Sequence, residues 1–264
     1  MASVYDARVQ VQTAEAVWAR IEALARAEPG GVVATDGDGT LWQGDVGEDL
    51  FHAFIRSGRV EPPALEALRQ NALTHGVSDA GTGVDIAHRI YEAYLGGRFP
   101  EPRICEMMAW CFAGWRRDEV RALARDVVAG CGLAGRLHPE VLNLIEKARA
   151  AGVGVLLVSA SPVAVVVEAA GLVGIDADSV IAARPMHDGD IVVADVEHPI
   201  PYAAGKVTRL RERIAGGQTL YAAFGDNAFD APMLAASRIP VAVRPKARLR
   251  ACADSVPGII ELSF

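Results

Sequence analysis

Gly31-Val32-Val33-Ala34-Thr35-Asp36-Gly37-Asp38-Gly39-Thr40 decides how this chain is read. A short apolar run stops at a polar cluster, which predicts a buried strand feeding a loop. In open α/β sheets, ligands bind beyond the carboxyl ends of strands. Asp36 and Asp38 therefore stand where chemistry is expected. Two further apolar runs end in the same manner. Val153 to Val158 leads into Ser159-Ala160-Ser161-Pro162, and Thr219 to Phe224 leads into Gly225-Asp226-Asn227, with Asp230 on the same loop. Lys206 opens a helix ahead of the last of these strands. Groups far apart in sequence would converge at one sheet edge.

The texture around these motifs supplies the rest of the fold. Thr13 to Ala27 reads as an amphipathic helix, with Val17, Trp18, Ile21 and Leu24 on one side. From about Asp49 to Gly130 the pattern is helical throughout, punctuated by Pro62-Pro63, Gly96-Gly97 and Pro100. After His138, helices and strands alternate. Pro139 to Ala151 is a helix with proline in its first turn and Gly152 at its stop. Asp188-Gly189 is a hairpin signal between Val180–Ala183 and Ile191–Ala194. The expectation is an α/β protein: a Rossmann-like parallel sheet with an inserted all-helical cap. The core would comprise residues 1–44 and 136–264, and the cap 45–135.

Composition narrows the function classes. Of 264 residues, 51% are hydrophobic and 22% charged, a globular balance able to bury a core. A net charge of −7 argues against nucleic-acid or anionic-membrane binding. No stretch of ~20 apolar residues predicts a membrane span, and the start lacks a basic segment followed by an apolar run. The four cysteines have no CxxC spacing, so reduced thiols in a cytoplasmic protein are expected rather than zinc or disulfides. Oligomeric state is not legible.

The residue types suggest phosphoryl chemistry. Asp36 would be the nucleophile and Asp38 the acid, then the base toward water. Asp36 and Asp226 would hold Mg²⁺, a hard ion that prefers oxygen ligands. Ser159, the backbone amide near Ala160, and Lys206 would stabilise the phosphoryl oxygens. A calcium loop is excluded, because counting from Asp36 places Leu41 and Gly47 where glycine and glutamate are required.

The ordered set of Asp36-Gly37-Asp38-Gly39-Thr40, apolar run to Ser159, Lys206, and Gly225-Asp226-Asn227 with Asp230 resembles the haloacid dehalogenase-like (HAD) hydrolase superfamily. It is most similar to the phosphoserine phosphatase-like branch with a helical cap. The resemblance spans roughly Gly31 to Leu249, including Ala242-Val243-Arg244-Pro245-Lys246, although the cap matches only in being helical. It implies that the Asp38 backbone carbonyl also ligates Mg²⁺ and that Asp230 supports the metal site. It further implies a small-molecule phosphate ester as substrate, with an acidic residue near Asp45 recognising an amine, as in phosphoserine or phosphocholine.

Several residues carry two readings. Asp45 is either that amine contact or the N-cap of a helix starting near Val46. Trp42 would touch substrate. Ser161, before Pro162, would cap the next helix and leave Ser159 free for phosphate. Tyr91, Tyr94, Phe99, Trp110, Phe112 and Trp115 are cap core, or with Trp42 a cage for a quaternary ammonium. His138, His187 and His198 read as turn residues, and Cys105 and Cys111 as core. A phosphotransferase on the same scaffold and a non-catalytic phosphate-binding protein remain as alternatives.

Overall fold

The computed structural model describes residues 9–214 and 216–264. The reading of the chain's start concerns residues 1–8 and lies outside the described residues. Strand β1 (Gln10–Gln12) is followed by α1 (Ala14–Ala27), whose N-cap Thr13 accepts a hydrogen bond from the Ala16 amide. Strand β2 (Val32–Thr35) is buried along its whole length. Five helices then follow in succession: α2 (Val46–Ser57), α3 (Pro62–Thr74), α4 (Gly83–Leu95), α5 (Glu101–Trp110) and α6 (Arg117–Gly130). After α7 (Pro139–Ala150), strand β3 (Gly154–Pro162) leads to α8 (Val163–Leu172) and β4 (Val180–Ala183). The hairpin β5 (Pro185–Asp188) and β6 (Ile191–Val196) comes next. The chain closes with α9 (Ala204–Arg213), β7 (Leu220–Gly225), α10 (Ala231–Ala235), β8 (Ile239–Ala242), α11 (Ala247–Ala251) and β9 (Ile260–Leu262).

Seven strands form one parallel sheet in the order β1-β9-β8-β7-β2-β3-β4. Both faces are covered, which is why its strands read as continuous apolar runs. Val33, Leu157, Ala222 and Phe224 belong to a core shared with α1, α7, α8 and the helical segment. Val32, Ala34, Leu156, Val158 and Ala223 face the other way, against Leu210, Met233, Leu234 and Leu249 from α9 to α11. The chain is thus an α/β protein with a Rossmann-like sheet. Strands β1 and β9 extend that sheet beyond what the periodicity predicts, because three residues are too few to carry a pattern.

The hairpin is built differently from the expectation. The partner of β6 is Pro185–Asp188, while Val180–Ala183 is the edge strand of the main sheet. The more apolar of the two candidates is the one buried in the sheet. Beyond the edge, the hairpin docks on the helical segment. The Gly114 and Arg117 amides donate to the Val192 and Asp190 carbonyls, each at 2.8 Å, and the Val192 amide donates to the Trp115 carbonyl at 3.0 Å.

The helical segment has its own aromatic centre. Phe54 meets Phe112 edge-on at 5.1 Å, Phe112 meets Trp115 at 5.4 Å, and the Arg59 guanidinium lies 4.3 Å from the Trp115 ring centre. Such pairs add roughly 0.5–1.5 kcal/mol each beyond area burial. Tyr91, Phe99, Trp110, Phe112 and Trp115 are buried here. Their packing agrees with the cap-core reading rather than a cage.

Candidate active site

Strand β2 lies between β3 and β7, with Thr35 level with Leu157 on one side and Phe224 on the other. β2 and β7 end here while β3 runs on to Pro162, so Asp36, Ser159 and Asp226 stand side by side. The Asp36 amide still donates to the Phe224 carbonyl at 2.9 Å. Helix α9 delivers Lys206 from below. Its ammonium is fully buried and donates to Asp36 Oδ1 at 2.6 Å, Asp230 Oδ1 at 2.6 Å and the Val158 carbonyl at 3.1 Å. Burial alone would lower the Lys206 pKa. Asp230 and Asp36 outweigh it and hold the ammonium above the usual lysine value.

Asp230 is saturated: Oδ2 accepts from the backbone amides of Asp226 (3.1 Å) and Asn227 (3.0 Å). It therefore sets the loop that carries Asp226. Asp226 is nearly fully buried and accepts from the Lys246 ammonium at 2.8 Å. Burial and then Asp230 push its carboxyl up to about 6, against the pull of Lys246. Burial, followed by the Asp230 carboxylate, likewise pushes Asp36 well up. Thr40 Oγ1 stands 3.5 Å from both Asp36 Oδ2 and Asp226 Oδ1. Gly39 has φ +85°, and a Cβ there would lie 2.2 Å from Asp226 Oδ2. Only glycine lets the loop pass this close.

Carboxylate oxygens of Asp36, Asp226 and Asp230 lie within 4.8 Å of one another. Three carboxylates face two ammonium groups, Lys206 and Lys246. An all-oxygen donor set with surplus negative charge fits a hard divalent cation.

Asp38 is held by a separate set of donors. Its Oδ1 accepts from the Trp42 indole N–H and the Val46 amide, each at 2.8 Å. Its Oδ2 accepts from Ser161 Oγ at 2.7 Å and Ser159 Oγ at 3.3 Å. Two expectations change here. Trp42 is fully buried and meets Asp38 rather than the cleft, so it positions a carboxylate instead of touching substrate. Ser161 is not a helix cap: α8 begins after Pro162 without a side-chain cap, and the Ser161 hydroxyl faces Asp38 and Asp45. Of the two readings of Asp45, the structure shows the N-cap. It caps α2, accepting from the Glu48 amide at 2.9 Å, and it also lines the cleft.

The cleft encloses about 640 Å³ between the sheet edge and the helical segment, and Ala160 sits on its wall beside Ser159. Residues that sequence reasoning missed also line it. His138, expected in a turn, is buried; its Nδ1 donates to the Thr40 carbonyl at 2.8 Å and so ties down the loop after Asp38. Cys105, expected in the core, is half-buried on the cleft wall. Glu48, Glu101, Tyr202, Phe229, Arg244 and Lys246 join it, together with Tyr94, which belongs to the aromatic set read from the sequence and lines the cleft where Tyr91, Phe99, Trp110, Phe112 and Trp115 do not. Lys246 had a signal, the Arg-Pro-Lys run after β8; the others need three-dimensional placement to be seen.

Among the described residues, no helix is long and apolar enough to cross a membrane. The family model for haloacid dehalogenase-like hydrolases matches residues 33–235. No curated protein matches in sequence. A protein of unknown function from Bordetella pertussis Tohama I superposes with TM-score 0.69 at 22% identity, covering 88% of this chain and 97% of the other. A functionally unknown protein from Anaerococcus prevotii DSM 20548 gives TM-score 0.69 at 16% identity, covering 98% and 94%. A substrate-bound phosphoserine phosphatase gives TM-score 0.51 at 16% identity, covering 88% and 94%. With the strand-end carboxylates, the buried lysine and a family match over most of its length, this chain belongs to the haloacid dehalogenase-like hydrolases.

Proposed function

We propose that this protein is a Mg²⁺-dependent phosphatase that hydrolyses a small-molecule phosphomonoester through a phospho-aspartate on Asp36. The observation that carries the reading is Lys206, fully buried and 2.6 Å from both Asp36 and Asp230. A buried ion network at strand ends, opening into a cleft, is costly unless used.

In this reading an Asp36 carboxylate oxygen attacks phosphorus and the bond to the ester oxygen breaks. Asp38 gives its proton to the departing alcohol. Asp38 then takes a proton from water, whose oxygen attacks the phosphorus and releases inorganic phosphate and free Asp36. Ser159 Oγ and the Ala160 amide bind the phosphoryl oxygens. Lys206, expected from the sequence to contact the phosphoryl oxygens, is spent on Asp36, Asp230 and the Val158 carbonyl and so fixes Asp36 in its rotamer and offsets its charge. Asp36, Asp226 and the Asp38 backbone carbonyl would hold the metal, with Asp230 supporting from behind. When bound, Mg²⁺ supplies positive charge that reduces repulsion between the carboxylate and the phosphate dianion.

The same reading divides the chain into a core of residues 1–44 and 136–264 and a cap of 45–135, with the β5–β6 hairpin seated on the cap. Cap and core enclose the cleft and exclude water during transfer. It places the enzyme in the cytoplasm, on its four unpaired thiols.

Phosphate release from p-nitrophenyl phosphate and a panel of natural esters, with and without Mg²⁺, tests the reading. Mg²⁺-dependent release that disappears in Asp36→Asn is the expected result. Full release by Asp36→Asn, or by protein stripped of divalent metal, would contradict it.

A further inference from the structure

Two lysines serve the carboxylates at the strand ends, and they differ in freedom. The Lys206 ammonium is fully buried and has three acceptors: Asp36, Asp230 and the Val158 carbonyl. The Lys246 side chain is 55% exposed, and its ammonium has one partner among the described residues, Asp226 Oδ2 at 2.8 Å. The Asp226 side chain beneath it is only 2% exposed. Lys206 is locked in place. Lys246 is a point charge on a flexible four-carbon stem, with water at hand.

The backbone brings Lys246 to Asp226. The Val243 amide donates to the Gly225 carbonyl at 2.9 Å, and the Lys246 amide donates to the Asp226 carbonyl at 2.8 Å. These two bonds fasten the turn after β8 to the loop after β7, on either side of Arg244 and Pro245. Asp226 therefore receives both the amide and the ammonium of one residue. Loss of the ammonium leaves the amide contact, and with it the turn, in place.

The charge balance of the cluster turns on this residue. With all groups ionised, Asp36, Asp226 and Asp230 against Lys206 and Lys246 leave one negative charge. A divalent cation would make the cluster one charge positive; without Lys246 it would end neutral. A metal ion ligated by Asp226 and an ammonium paired with it would share one carboxylate, and their repulsion at a buried group is only partly screened. Orientation of Asp226 by the ammonium acts the other way. That effect is one hydrogen bond, whereas the double charge of the metal doubles the repulsion, so competition dominates.

We propose that Lys246 is a tethered counter-cation that competes with a divalent metal for Asp226 and so lowers the metal affinity of the site. This inference rests on the metal-dependent reading above and deepens it, naming the residue that sets how much metal the site requires.

Calorimetric titration of the protein with Mg²⁺ at constant ionic strength tests it without turnover. Lys246→Gln should lower the Mg²⁺ dissociation constant by about three- to tenfold, a modest factor because solvent screens a half-exposed ammonium. Lys246→Arg keeps the charge and should stay near the wild-type value. Arg248→Gln removes an equal charge two residues on, from a side chain paired with Glu101. It should change the constant by less than about twofold. An unchanged or higher constant in Lys246→Gln, with Mg²⁺ binding still abolished by Asp226→Asn, would overturn the inference and leave the metal site standing. An equal fall in Arg248→Gln would also overturn it, by showing that diffuse charge alone sets the affinity. If the wild-type protein binds no Mg²⁺, the metal-dependent reading and the inference fall together.

Discussion

The Trp42 indole N–H donates to Asp38 Oδ1 at 2.8 Å, from a ring with no solvent exposure. A residue four positions after the acid/base candidate thus fixes its orientation. With the Val46 amide on the same oxygen and Ser161 on the other, Asp38 is held at both ends.

Trp42→Phe keeps most of the ring and deletes the donor. A hydrogen bond to a charged group contributes roughly 1.5–3 kcal/mol. We expect kcat on p-nitrophenyl phosphate to fall by about tenfold with KM nearly unchanged. An unchanged kcat would mean that Asp38 is oriented without the indole.

Lys206→Met leaves Asp36 and Asp230 buried without their shared cation. Breaking a buried pair by removing one partner costs ~3–5 kcal/mol. Urea unfolding should show a loss of that size, and Lys206→Met with Asp230→Asn should recover part of it. If the double variant is no more stable than the single one, the Lys206–Asp230 contact is not the source of the loss.

Metal binding has a readout that does not depend on turnover. Mg²⁺ at a hundred times its dissociation constant should stabilise the fold by about 2.7 kcal/mol, and each kcal/mol raises the melting temperature of a chain this size by about 2–4 °C. Asp226→Asn should abolish that increase. A metal-induced shift that survives in Asp226→Asn would place the ion elsewhere.

Gly39→Ala probes the same site from the backbone. At φ +85° its Cβ meets Asp226 Oδ2 at 2.2 Å, whereas Gly30, at φ +90°, faces open space. The left-handed backbone costs both variants ~1–2 kcal/mol. Gly39→Ala alone should lose the Mg²⁺-induced thermal shift. Equal behaviour of the two variants would show that close approach at Gly39 is not needed.

The sequence revealed what strand ends and helix starts reveal. Asp36, Ser159, Lys206 and Asp226 each sit where an apolar run or a helix begins or ends, and parallel pairing of β3, β2 and β7 brings them together. Direction was harder. Nothing local distinguishes a Trp42 aimed at solvent from one folded back onto Asp38. Ser161 before Pro162 has the sequence of a helix cap, yet β3 continues through it and carries its hydroxyl to Asp38. The hairpin partner was misassigned because Val180–Ala183 is apolar enough for either role. Glu48, Glu101 and Tyr202 share the cleft wall only because α2, α5 and the turn before α9 pack around it, a relation with no counterpart in local spacing.

The central claim is covalent chemistry at Asp36. Enzyme reacting with p-nitrophenyl phosphate and Mg²⁺ can be quenched in acid and reduced with borohydride, which converts an aspartyl phosphate to homoserine. Peptide mass spectrometry should then find homoserine at position 36, and none in unreacted enzyme or in Asp36→Asn. Homoserine at another aspartate, or its absence while phosphate is released at full rate, would contradict the account.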